Sequence, residues 1–188
     1  SANQPMKKLL STIVLLAVSA GMATAGDYYS KAPVAPKEPV VTPPPVCPCF
    51  DPGIELGLFG AGIFPDSGYH GEDAIGGGVM AGMFFTENIG VNVSYAAFAT
   101  DSTEHFVTGD LVLRMPIHEL CIAPYVFVGG GMVANGNTDG LWRVGGGVDI
   151  RMDSMGCVGL FIDGSYNWIE SDYRADTTMA RVGLKIPF

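Results

Sequence analysis

Charged and oily positions alternate along this chain with a period of two. In LWRVGGGVDIRM, residues 141–152, Arg143, Asp149 and Arg151 share one parity, and Trp142, Val144, Val148 and Ile150 share the other. Successive side chains on a strand point to opposite faces, so this segment has one ionic face and one apolar face. The split recurs in HFVTGDLVLRM, where Asp110 and Arg114 oppose Val107, Leu111 and Leu113. It recurs again in TTMARVGLKIPF, where Arg181 and Lys185 oppose Val182, Leu184 and Ile186. From residue 53 onward the pattern predicts eight strands, at 53–64, 74–85, 89–99, 105–115, 121–134, 141–152, 157–169 and 177–188. Soluble strands run to about 5–6 residues, whereas a tilted strand that crosses a bilayer needs about 9–11. The predicted segments have the longer dimension.

Extending the parity through all eight segments collects nine charges on one face: Glu55, Asp110, Arg114, Arg143, Asp149, Arg151, Asp163, Arg181 and Lys185. Five are basic and four acidic, close to neutrality, as a lumen in which each ion needs a partner would require. The other face carries Ile54, Leu56, Leu58, Val79, Val91, Val93, Leu111, Val126, Val128, Leu160, Ile162 and Val182. Trp142, Trp168, Tyr95 and Tyr166 fall on it toward one end, Phe85 and Phe188 toward the other, the placement of two interfacial aromatic belts. A water-soluble lipocalin-like barrel would reverse these faces and expose a large oily patch. The predicted fold is therefore all-β, an eight-stranded antiparallel up-and-down transmembrane β-barrel. Its narrow interior is expected to be filled by side chains, without an open pore. Connections at 86–88, 116–120 and 153–156 are read as short turns, those at 65–73, 100–104, 135–140 and 170–176 as equal or longer loops. Gly-Gly-Gly at 76–78, 129–131 and 145–147 precedes no helix, so it is read as close packing beneath lumen aromatics such as Phe59, Phe84, Tyr125, Phe127 and Phe161, not as a phosphate cradle.

Upstream of the strands the chain changes character. Residues 6–25, MKKLLSTIVLLAVSAGMATA, have a basic start, an apolar stretch too short to span as a helix, and a small-residue cleavage site, the layout of a secretory signal peptide. Residues 1–5 lie before it, so 1–25 form the leader region. Residues 26–52 hold prolines 33, 36, 39, 43, 44, 45, 48 and 52 and read as an extended linker. Residues 53–188 form the barrel. Cleavage after Ala25 would remove Lys7 and Lys8 and leave eight basic against nineteen acidic residues, a net charge of −11. That balance argues against nucleic acid or anionic lipid headgroups as the main partners. No apolar run near twenty residues occurs outside the leader, so a transmembrane helix is excluded and a closed barrel is the remaining way to span.

With its eight-strand meander, its signal peptide and the ending Val182-Gly183-Leu184-Lys185-Ile186-Pro187-Phe188, the chain resembles the small OmpA-like outer-membrane β-barrel family over residues 53–188. The terminal aromatic, Phe188, with apolar residues at alternate positions, is similar to the family's signal to the barrel-assembly machinery; Pro187 is unusual there. The resemblance implies the bacterial outer membrane, with lipid and lipopolysaccharide around the wall and the linker in the periplasm. It implies no single activity: members include anchors, adhesins, envelope-stabilising proteins and a few lipid A-modifying enzymes that use a His and a Ser near the outer rim. Candidates here would be His105 or His70 with Ser94 or Ser165, but no motif surrounds them. The expected role is structural or interactive, non-enzymatic and without cofactor or metal; the surface ligand is unknown. The alternative is an ion- or lipid-interacting barrel with weak channel activity.

Two further groups carry chemistry. Cys47, Cys49, Cys121 and Cys157 all fall at one rim. Bridging Cys47 to Cys49 would strain a small ring, and strands five and seven are second neighbours, about 9–10 Å apart, beyond a disulfide's span. Cys47 and Cys49 are thus expected each to bridge to Cys121 or Cys157, stapling the linker across the mouth; zinc held by four thiols is the alternative. The opposite rim gathers Asp66, Glu72, Asp73, Asp101, Glu104, Asp139, Glu170, Asp172 and Asp176 against Arg174 alone. A solvated, repulsive surface is the plain reading, and capture of divalent cations or basic ligands the sharper one.

Overall fold

A computed structural model describes residues 47–66, 73–100, 103–171 and 174–188. The predicted signal peptide, most of the predicted linker, His70, Glu72, Asp101 and Asp172 lie outside the described residues. Eight antiparallel strands follow one another around a closed barrel: β1 (Gly53–Pro65), β2 (Ala74–Phe84), β3 (Ile89–Phe98), β4 (Glu104–Arg114), β5 (Ile122–Asn135), β6 (Asn137–Met152), β7 (Val158–Glu170) and β8 (Thr177–Pro187). β8 pairs with β1, Leu58 opposite Leu184 and Phe59 opposite Gly183, so no strand edge is left unpaired. This is the up-and-down arrangement expected from the period-two pattern.

Residues alternate in burial along every strand, and the buried set is the charged one. Leu58, Val93, Val128, Ile162, Leu184 and Trp142 are exposed on the outer wall. Arg143 and Asp149 are each only 1% exposed, inside. Tyr95, Trp142 and Trp168 stand exposed toward one end, and Phe85 and Phe188 toward the other. We refer to the end holding Cys47 and Phe188 as the turn end and the other as the loop end.

The glycine triplets serve close packing. Phe59 has Gly78 on one neighbouring strand and Gly183 on the other. A Cβ on Gly78 would lie 2.6 Å from the Phe59 ring, and one on Gly183 would lie 2.7 Å from Phe59 Cβ and from the Phe161 ring. Missing side chains beside each large ring are what allow aromatics to lie flat inside so narrow a tube.

One expectation fails. The segment 135–140 is not a loop: β5 and β6 remain paired to Asn135 and Asn137 and turn through Gly136 alone, whose φ is 79°. Asn-Gly-Asn is loop chemistry in sequence, but it is equally the chemistry of a tight hairpin that needs a left-handed residue. With the tightest connection at the loop end, connection length does not distinguish the two ends.

Candidate functional site

The lumen is filled from end to end in three layers. Nearest the turn end, Arg114 donates from Nη1 to Glu55 at 2.8 Å, and Arg151 Nη2 lies 2.7 Å from the same carboxylate. Arg151 also forms a fork to Asp149 through Nε and Nη2 at 2.9 and 2.8 Å, and Lys185 Nζ reaches Asp149 at 3.2 Å. Arg114 stacks its guanidinium 3.6 Å over the Phe84 ring and donates from Nε to the Glu87 carbonyl. Three bases thus share two acids, the ring faces supplying part of the missing negative potential.

The middle layer centres on Asp163. Its carboxylate receives Nε and Nη2 of Arg181 at 2.7 and 2.9 Å and the Tyr125 hydroxyl at 2.6 Å. Arg143 lies 3.4 Å from Asp110, donates to the Thr108 and Ser165 hydroxyls, and packs over the Phe127 ring. Ser94 is hydrogen-bonded to Thr108 at 2.8 Å. The structure therefore brings all nine strand charges into one interior, with contacts such as Arg114–Glu55 and Tyr125–Asp163 between strands that do not pair. A cavity beside Glu55, Asn92, Asp163 and Arg181 has a volume of about 20 Å³, room for about one water molecule.

Toward the loop end the lumen is apolar: Ile63, Ala74, Phe98, Phe106, Val133, Leu141 and Met179 form one buried cluster. Above it, Arg174 binds Glu104 at 2.5 Å and Asp139 at 2.8 Å, and Tyr166 donates to Asp66 and Asp176. Trp142 Nε1 donates to Glu170 at 3.0 Å. Asp66, Glu104, Asp139, Glu170 and Asp176 of this acidic rim are thus held by hydrogen bonds or ion pairs, which is more order than the sequence alone suggests. The cue was available in the single base among nine acids, which must bridge somewhere.

The turn end is closed by the chain itself. Cys47 is bonded to Cys121 and Cys49 to Cys157, with Cα–Cα distances of 5.5 and 5.2 Å. These interleaved bridges use all four sulfurs, leaving no thiol for zinc. Cys121 and Cys157 both hold left-handed backbone, φ 53° and 64°, where the turn enters the strand. Phe50, which sequence reading passed over as linker, is 1% exposed. Its carbonyl accepts from Arg114 Nη2 at 2.9 Å, and its ring lies 5.3 Å from the Arg114 guanidinium and edge-on to His118.

His105 lies on the outer wall, stacked on Tyr95 with Nδ1 2.9 Å from the Tyr95 hydroxyl. Ser94 and Ser165 are buried in the lumen. The wall separates His105 from both serines, so the structure assembles no His–Ser pair from them. Phe188 is exposed at the turn end, its backbone N–H bonded to the Ile54 carbonyl.

A closed eight-stranded wall with an ionic interior and an oily exterior is the architecture of the small outer-membrane β-barrels. The chain is similar to the N-terminal β-barrel domain of Pseudomonas aeruginosa OprF, with a TM-score of 0.58 and 15% identity over 73% of this chain and 98% of that one. It is similar also to Neisserial surface protein A, NspA, with a TM-score of 0.50 and 13% identity over 72% and 96%. The outer membrane enzyme PagL matches at 0.50 with 10% identity over 71% and 99%. At these identities the likeness is one of fold. No family model matches the chain, and no curated relative matches it in sequence.

Proposed function

We propose that this chain is an integral protein of a bacterial outer membrane, its turn end and Pro-rich segment facing the periplasm, and that it serves as a structural or surface-contact element of the envelope. The observation that carries the reading is the inverted wall. A belt of Leu, Val and Ile is exposed around the barrel while nine ions are buried within it. In water such a belt would be an aggregation surface; against acyl chains it costs nothing. A filled lumen supports contact over transport, because Arg181, Asp163 and Arg143 occupy the axis that an ion would follow. Cell fractionation, combined with gels of heated and unheated samples, tests the reading: the protein should sediment with outer membrane and migrate differently before heating. Recovery in the soluble periplasmic fraction would overturn it.

Weak channel activity is the second reading, favoured only by the small cavity beside Glu55, Asn92, Asp163 and Arg181 inside the lumen. Planar-bilayer recording of the purified barrel separates the two, with no discrete conductance steps expected. PagL shows that this fold can host an enzyme, but the separation of His105 from Ser94 and Ser165 favours a non-enzymatic role here. Unchanged lipid A masses in cells with and without the protein are the expected result.

A further inference from the structure

We infer that residues 47–50 are a redox-releasable stopper of the barrel mouth: Phe50 is held in the turn end by the two disulfides, and reduction frees it while the barrel stays folded. The wall and the stopper are held by different bonds. Every strand is paired to both neighbours by backbone hydrogen bonds, and neither disulfide joins two strands that pair with each other. Apart from the bridges, the stopper is seated by one small buried cluster, Cys47, Cys49 and Phe50 with Ala123, and by a handful of polar contacts. Cys47 N donates to the His118 carbonyl at 3.2 Å, His118 Nδ1 lies 3.1 Å from the Cys47 carbonyl, and Arg114 donates to the Phe50 carbonyl. The Phe50 ring rests on Arg114, His118 and, at 5.7 Å, Arg151. These few contacts must hold still a segment that carries Pro48 but forms no strand, against the conformational entropy of freeing it. The bridges supply the constraint by keeping the segment close to its seat.

The bridges are also placed for attack. Cys47 and Cys49 are buried, whereas their partners Cys121 and Cys157 are partly exposed at the rim. A thiolate of a small thiol, or of a thiol–disulfide oxidoreductase, attacks Sγ of Cys121 or Cys157. The S–S bond breaks, and Cys47 or Cys49 leaves as a thiolate and takes up a proton. A second thiol of the reductant then attacks the mixed disulfide, so each bridge consumes two thiols and yields one oxidised disulfide. Release leaves the middle and apolar layers in place. What changes is the point at which the upstream chain is anchored, which moves from Cys47 to the start of β1, and the exposure of Arg114 and Arg151 at the mouth.

The test uses the full chain folded in detergent with 4-fluorophenylalanine at position 50 alone. Oxidised protein should give a ¹⁹F resonance insensitive to a soluble paramagnetic reagent. After reduction, with four thiols counted by mass, its paramagnetic relaxation should rise several-fold while the unheated gel mobility of the folded barrel persists. The double variant Cys47→Ser, Cys49→Ser should show the released signal without reductant. A resonance that stays shielded in either sample would show that packing alone seats Phe50 and overturn the inference. Loss of the folded gel mobility on reduction would overturn it too, since the bridges would then hold the wall. The gel readout is separate from membrane location, so the inference and the proposed function can fail independently.

Discussion

Asp163 and Arg181 stand directly opposite each other on β7 and β8 and form a two-pronged ion pair, 2.7 and 2.9 Å, inside the wall. Tyr125 comes across the lumen from β5 to complete the carboxylate's shell. Three strands are thus joined through one side chain. Asp163→Ala leaves Arg181 buried without a counter-charge, and removing one member of such a pair costs about 3–5 kcal/mol. Urea unfolding in lipid should show a loss of that order. The double variant Asp163→Leu, Arg181→Met should recover most of it, because it removes both charges together.

The glycine beside Phe59 gives a steric test. Gly183→Val would drive its Cβ into the Leu58 carbonyl and the Phe59 and Phe161 side chains. Overpacking of this kind costs at least about 1–3 kcal/mol, and here it also forces the β1–β8 closure apart. The folded gel band should fall sharply. Gly60→Val, where a Cβ meets nothing within 4 Å, should leave the band unchanged.

The outer wall makes its own prediction. Leu58 lies near the middle of β1 and is 67% exposed. If lipid surrounds it, Leu58→Arg should lower stability by about 2–4 kcal/mol, as read by unfolding from vesicles. A stability loss near zero would contradict a bilayer around this face.

Arg174 occupies the space between Glu104 and Asp139 that a cation could otherwise take. Its pairs are partly exposed, so Arg174→Ala should change the melting temperature little, by no more than about 1 kcal/mol in stability terms. Protease should cut the 171–176 connection faster in the variant. Calcium should stabilise the variant and leave the parent chain unaffected, as followed by thermal melts with and without the ion.

Much of this architecture was legible because a strand has only two faces. Within each predicted strand the charges, Asp110, Arg143 and Arg181 among them, keep to one face, and from that both the lumen and the wall follow. The cysteines were readable for a similar reason, since the separation of strands five and seven removes a Cys121–Cys157 bridge and with it one of the three connectivities. Which partner each one takes was not, because Cys121 and Cys157 sit at the same rim height. Phe50 was missed because its neighbours, Pro48 and Pro52, mark a spacer, and a single aromatic gives no periodicity. Gly136 was misread because the residues that suit a loop also suit a one-residue hairpin turn. The Tyr125–Asp163 contact joins strands five and seven across the tube, and pattern along a chain carries no information about who meets across a lumen.

The buried ion network has a consequence for how the molecule answers to its surroundings. Dissolved electrolyte weakens attractions between charges that water can reach, with a screening length of about 8–10 Å near physiological ionic strength. The side chains of the Asp163–Arg181 and Glu55–Arg151 pairs are buried, none more than 7% exposed, so dissolved ions reach them poorly. Raising sodium chloride should therefore loosen the Arg174 bridges at the loop end well before it touches the barrel. The thickness and composition of the surrounding bilayer, more than the saltiness of the medium, should set how hard this protein is to unfold.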